Sequence, residues 1–234
     1  NINPDEIYNL AAQSHVAVSF KNPMYTTSVG NNGTLAILEN LRNLNKNVKF
    51  YQASSSEMFG TSNKTLNENS PFNPNSPYAE AKLINHLKVK ELNENYNWPI
   101  FSGIMFNHES EFRGKDYLIM KIIRSAKEIS LNPNKRLTLG SLDYIRDWSY
   151  ASDTVNAIYE ITSKASTSDY VIGSGVGKSI KEMVNHIFNY FNLDWTNFVD
   201  INQNLLREGD PVNIVSDPSK LKRELNWNAE FNFN

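Results

Sequence analysis

Tyr78 and Lys82 stand four residues apart in NSPYAEAKL, residues 75–83. At the start of a helix, that spacing puts a phenol and an ammonium on one face, about one turn apart. Ser76 suits the N-cap of such a helix and Pro77 its first turn. Upstream, FYQASSSEMFG (50–60) reads as an apolar strand ending in three serines and a glutamate. A phenol with a pKa near 10 is a poor base at neutral pH. An ammonium one turn away, together with a nicotinamide cation, would favour the phenolate, and a serine hydroxyl could bond the same substrate oxygen. Such a set removes a hydroxyl proton while hydride leaves the same carbon. Glu57 adds a carboxylate that simple alcohol oxidation does not need and an elimination does.

The Tyr-x-x-x-Lys spacing alone decides nothing. With 11 tyrosines and 16 lysines in 234 residues, roughly one accidental pair is expected, and Tyr117 with Lys121 is a second match. Context separates them. In a parallel α/β fold the carboxyl ends of strands and the helices that follow converge on the ligand crevice. That places Ser55, Ser56 and Glu57 within reach of Tyr78, whereas Tyr117 has no comparable partner set. A further decoy is GSGVGKS (173–179). Its first glycine is one place off the phosphate-loop pattern; a strand end, a glycine turn and a Ser179/Glu182 capping box account for it.

The elements that must position these residues alternate in type. Strands are expected at EIYNLAA (6–12), VKFYQASS (48–55) and PIFSGIMFN (99–107), with helices at 26–44 and 77–95 between them. Beyond Asn107, helices are expected at 118–131, 151–164, 179–191 and 218–225, and strands at RLTLG (136–140) and DYVIGSG (169–175). This alternation predicts an α/β fold with a parallel sheet. The net charge of -2 and the absence of a basic stripe argue against nucleic-acid binding. No apolar run reaches the ~18 residues of a membrane span. With no cysteine, thiolate metal sites and cysteine nucleophiles are excluded, and a cytoplasmic location is expected; no metal site is expected.

The serine, Tyr-x-x-x-Lys arrangement resembles the extended short-chain dehydrogenase/reductase superfamily. Within it, PDEIYNLAAQSHV, FYQASSSEMFG, SPYAEAK, FNHES and RDWSYA resemble the GDP-mannose 4,6-dehydratase family, and LREGDPVNIVSDPSKLKRELNW resembles its carboxyl-terminal region. The resemblance implies a Rossmann-like doubly wound parallel sheet with a smaller α/β substrate-binding domain. Residues 1–106 would be the remainder of the NADP-binding domain. Residues 107–234 would mainly hold the GDP-sugar, with some segments returning to the sheet. It implies conversion of GDP-mannose to GDP-4-keto-6-deoxymannose with tightly held NADP. Tyr78 would take the C4 hydroxyl proton, Lys82 would hold the phenolate and the cofactor ribose, and Ser55 would bond the C4 oxygen. Glu57 would take the C5 proton as water leaves C6. Leu10, Ala11, Ala12, Gln13, Ser14, Tyr25, His108 and Arg113 match cofactor contacts. Asn107, Lys121, Arg146 and Arg207 match contacts to the nucleotide sugar, where cations suit a diphosphate. On this basis the match of Lys121 to the tyrosine motif is incidental.

The departures carry expectations of their own. EFRG keeps only Arg113 where the family usually has two adjacent arginines on a loop reaching a neighbouring subunit, so a homodimer is as much expected as a homotetramer. No G-x-x-G-x-x-G turn occurs in the sequence. The resemblance places Asn1 near the family's fourth strand, with on the order of two βαβ units, each of ~30 residues, expected ahead of it. Two alternatives stand beside dehydration: a GDP-sugar 4-keto reductase or epimerase of the same superfamily, and a non-catalytic nucleotide-sugar-binding fragment. Glu57 weighs against the first, because reduction and epimerisation need no C5 proton removal.

Overall fold

The structure, a computed structural model, describes residues 4–43, 48–206 and 209–231. Strand β1 (Glu6–Asn9) leads into a loop and three helical pieces, α1 (Val16–Lys21), α2 (Pro23–Thr27) and α3 (Gly33–Asn43). A π-helical turn at Ser28–Asn32 joins α2 to α3, so the single helix expected from residue 26 is interrupted. The end of that expected helix, Leu44, lies outside the described residues. Strand β2 (Lys49–Ser55), a 3₁₀ turn at Ser56–Phe59, helix α4 (Pro77–Tyr96) and strand β3 (Ile100–Met105) follow. The later elements are β4 (Asn107–Glu109), α5 (Leu118–Leu131), β5 (Leu137–Leu139), β6 (Ile145–Tyr150), α6 (Ala151–Lys164), β7 (Asp169–Ile172), β8 (Gly177–Ser179), α7 (Ile180–Tyr190), β9 (Val199–Ile201), β10 (Asn213–Ile214) and α8 (Ser219–Leu225).

A parallel sheet of order β1-β2-β3-β7 organises the site. Strands β2, β3 and β7 are buried almost throughout because both faces of the sheet are covered there, whereas the edge strand β1 is partly exposed. Phe50 and Ile100 pack on Leu38, Leu41, Val89 and Leu92 of α3 and α4. On the opposite face, Tyr51 and Phe101 pack on Ala157, Ile158 and Ile161 of α6, with Leu221 and Trp227. Gly103 is required here: a Cβ would lie 2.0 Å from the Tyr51 hydroxyl oxygen. A second core joins α5 and α7 through Ile122, Ile129, Val184 and Phe188, over Leu137, Leu139 and Trp148. Strands β10, β6 and β4 form a separate parallel set, with β8 antiparallel to β6.

The asparagine-rich composition has a local use. Among the described residues, the non-glycine ones with positive φ are Asn97, Asn192 and Asn226, of which Asn97 and Asn226 are the left-handed caps of α4 and α8. Asparagine tolerates this region better than other non-glycine residues, so these helices end without glycine.

A buried polar chain pins α4 to the sheet. The His86 Nδ1 lies 2.9 Å from Ser102 Oγ, which is 2.7 Å from Ser54 Oγ. On its other side, Nε2 lies 3.6 Å from the Asp169 carboxylate, itself paired with Lys90 and Lys220. Burial lowers the His86 pKa to about 4; Asp169 opposes this and Lys90 adds to it. An unfolded histidine titrates near 6.5. Between pH 6.5 and 4 the unfolded chain therefore binds a proton that the folded chain refuses, and stability falls as the pH drops. Urea unfolding between pH 7 and pH 4 is expected to show a loss on the order of 2–3 kcal/mol. The slope should flatten in His86→Gln; an equal slope in both proteins contradicts this account.

Candidate active site

Ser76 caps α4 by accepting from the Ala79 amide, 3.1 Å away, and Pro77 occupies the first turn. Tyr78 and Lys82 therefore sit one turn apart on the face of α4 that meets the sheet. The Lys82 Nζ is 5.8 Å from the Tyr78 ring centroid and donates to the Ala53 carbonyl at 2.7 Å. At the carboxyl end of β2, the buried Ser55 accepts the Glu57 amide at 3.3 Å, capping the 3₁₀ turn that aims Glu57. Gly60 closes that turn at φ +66, where a Cβ would meet the Asn73 carbonyl oxygen at 2.5 Å.

These groups act on one another. Burial pushes the Tyr78 phenol up to about 12; Ser55 lowers it by hydrogen bonding, while the Glu57 carboxylate raises it further. Burial also lowers Lys82 to about 8. The phenol is thus protonated at neutral pH, and its use as a base calls for added positive charge beside it.

A small cleft opens beside this pair, lined by Ala11, Ala12, Gln13, Tyr78 and Lys82, with the buried Gly30 and Asn85 also lining it. Gln13 is fixed by donating to Thr26 Oγ1 at 3.2 Å and to the His15 carbonyl at 3.1 Å. The Asn85 amide donates to the Gly30 carbonyl at 2.9 Å, within the π-helical turn, and its Oδ1 is buried without a hydrogen-bond partner. Leu10 and Ser14 are exposed at the rim. Tyr25 is 57% exposed, and its neighbour Thr26 supplies the lining instead. Sequence reasoning missed Thr26, Gly30 and Asn85; nothing in the sequence marks the π-helical turn that holds Gly30 and that Asn85 bonds.

The remaining expected residues lie on the later strands and helices. His108 is held by its Nδ1–H donating to the Phe106 carbonyl at 2.9 Å, and burial lowers its pKa. Arg113 stacks on Tyr117 and pairs with Glu109 at 3.3 Å. Asn107 begins β4, and its carbonyl accepts from Ser149. Lys121 donates to the Thr138 carbonyl at 2.8 Å. Arg146, buried on β6, pairs with Asp210 at 3.3 Å and donates to the Ile145 carbonyl. Arg207 lies outside the described residues. Beside Arg146, the Asp147 carboxylate accepts from the Ser174, Gly175 and Ser216 amides and from both serine hydroxyls. This explains GSGVGKS as a structural turn: a Cβ on Gly173 would lie 2.4 Å from Ser216 Oγ.

The GDP-mannose 4,6 dehydratase family matches residues 1–234. The chain belongs to this family. It is 40% identical to GDP-mannose 4,6 dehydratase 2 of Arabidopsis thaliana, over 99% of this chain and 63% of that protein. It is also 40% identical to GDP-mannose 4,6 dehydratase of Drosophila melanogaster, over 99% of this chain and 64% of that one. The chain thus spans just under two thirds of the length of these family members. The fold is shared with RMD from Pseudomonas aeruginosa complexed with NADPH, at a TM-score of 0.87 and 21% identity, covering 98% of this chain and 77% of that one.

Lys82 gives a stability test of the site. Its unfolded pKa is near 10.5 and its folded value about 8. Below pH 8 the folded state carries a poorly solvated charge, and the penalty fades as the pH rises from 8 to 10.5. Lys82→Met is expected to stabilise the protein at pH 7 by about 2 kcal/mol: about 3 from removing the charge, less about 1 for the lost bond to Ala53. Denaturant unfolding at pH 7 and pH 10 checks this. A destabilised variant at pH 7, or a gain that does not shrink at pH 10, contradicts it.

Proposed function

We propose that the protein of which this chain is part is a GDP-mannose 4,6-dehydratase, a lyase that removes water from the sugar and leaves its cofactor unchanged overall. The observation that carries this reading is that Tyr78 and Lys82 line one cleft while Ser55 and Glu57 both act on the Tyr78 phenol. The small side chains of Ala11, Ala12 and Ala81 beside Lys82 suit a flat ring, which supports a nicotinamide cofactor held by the loop after β1 and by Lys82; NADP is the form we favour. When bound, NADP would supply a hydride acceptor for C4 of the sugar and a donor for C6.

The chain's own residues handle the protons. Tyr78 takes the C4 hydroxyl proton, Ser55 bonds that oxygen, and Lys82 adds positive charge one turn away. Oxidation at C4 acidifies the C5 proton, which Glu57 removes and delivers to the C6 hydroxyl so that it departs as water; the proton taken by Tyr78 returns to C5. This second role favours dehydration over reduction or epimerisation. Residues 107–234 would mainly hold the GDP-sugar, with Asn107, Lys121, Arg146 and Arg207 offered to it, while α6, β7 and α8 return to the sheet. Exposed Ile84 and Leu87 on α4 support assembly into a homodimer or homotetramer, and a cytoplasmic location belongs to the same reading.

Mass spectrometry of GDP-mannose incubated with the full-length protein and NADP is expected to show loss of one water. Glu57→Gln should lower turnover by about 10²–10⁴-fold while GDP-mannose still binds. GDP-mannose returned unchanged by the full-length protein would sink the proposal. Full activity in Glu57→Gln would remove Glu57 from the mechanism.

A further inference from the structure

Tyr117 has no part in the chemistry above, and its match to the tyrosine–lysine spacing was incidental on sequence grounds. Its surroundings give it another role. Tyr117 is the N-cap of α5 with extended backbone, so it does not share a helix face with Lys121, whose ammonium goes to Thr138. Its hydroxyl lies 3.3 Å from Ser14 Oγ, on the loop after β1 and 103 positions away in sequence. The Arg113 guanidinium lies over its ring, 3.7 Å from the centroid, and the His15 ring is tilted against it at 5.8 Å. The intervening loop closes through Arg113 N donating to the Ser110 carbonyl at 3.0 Å and Tyr117 N to the Gly114 carbonyl at 3.1 Å.

Two loops from distant parts of the chain thus meet at one aromatic ring, at the rim of the cleft that Tyr78 lines. A guanidinium over an aromatic face is attracted by the ring quadrupole, and the planar cation is held in orientation as well as position. The Arg113 guanidinium acts to lower the pKa of the Tyr78 phenol, which links this stack to the reacting end of the site.

We propose that Tyr117 is a positioning residue: through Ser14 it straps the 109–117 loop to the loop after β1, and its ring is the platform that holds Arg113 beside Tyr78. The hydroxyl and the ring do separate work. Phenylalanine keeps the platform and loses the strap, whereas leucine loses both. The kinetic part rests on the dehydratase reading; the strap does not.

The test uses the full-length protein with Tyr117→Phe, Tyr117→Leu, Arg113→Gln and the Leu/Gln double variant. Trypsin cleavage after Lys115 reads the strap without any turnover. It is expected to be about tenfold faster in Tyr117→Leu than in the parent, and several-fold faster in Tyr117→Phe. In turnover of GDP-mannose, Tyr117→Leu should lower kcat/KM by about tenfold and Tyr117→Phe should recover most of it; in the Arg113→Gln background Tyr117→Leu should cost little more. Parental cleavage rates in both Tyr117 variants overturn the strap, and Phe alone decides that point should the Leu variant not fold. Independent, multiplying effects of Tyr117→Leu and Arg113→Gln overturn the platform. If the parent leaves GDP-mannose unchanged, the dehydratase reading falls and the cleavage rates still decide the strap.

Discussion

One buried ammonium sets the terms for this fold. Lys82 is 6% exposed and places its charge against a backbone carbonyl at the end of β2. Its stem cannot reach that carbonyl unless α4 lies directly across the carboxyl ends of β2 and β3. Everything nearby serves that placement. The serine cap and proline fix where the helix starts, His86 bonds to Ser102 below it, and Asn85 ties it to the π-helical turn. A site that holds a charge in apolar surroundings is intrinsically costly, and the packing elsewhere offsets that cost.

The two cores divide the work. The doubly covered sheet makes a stiff floor for Tyr78, Lys82 and Ser55. The α5/α7 core carries the later strands, on which Arg146 and Asp147 sit side by side with opposite tasks. Arg146 alternates with Asp147 along β6, so the two side chains leave opposite faces. One joins Asp210, and the other gathers five donors from two turns. Arg146 and Asp147, adjacent in sequence, are therefore two separate anchors.

Much of this was legible in the sequence. The helices at 118–131 and 151–164 begin and end where their apolar periodicity does, and SPYAEAK announced its own cap. Short strands such as β4, β8 and β10 carried no signal, because two or three residues cannot display a period. The interruption after α2 was invisible for a different reason: a π-helical turn keeps helical composition while shifting every later side chain by one place. The neighbours of Tyr117 were not legible in the sequence. Its partners, Ser14 and Arg113, are joined to it by folding and by a loop, not by helical periodicity.

The Asp147 cluster has a consequence for the order in which this chain acquires structure. Its carboxylate is satisfied only when the 173–175 turn and the segment around Ser216 have both arrived. The same late segment supplies the bridge from Leu66 to Ser216, and Glu68 accepts the Val171 amide from β7. Contacts this far apart in sequence cannot form until the later partner has been synthesised. The loop between β2 and α4 therefore waits for β7 and for the segment around Ser216. Nascent protein holds an unsatisfied Asp147, and a partly built site, until the segment around Ser216 has been made.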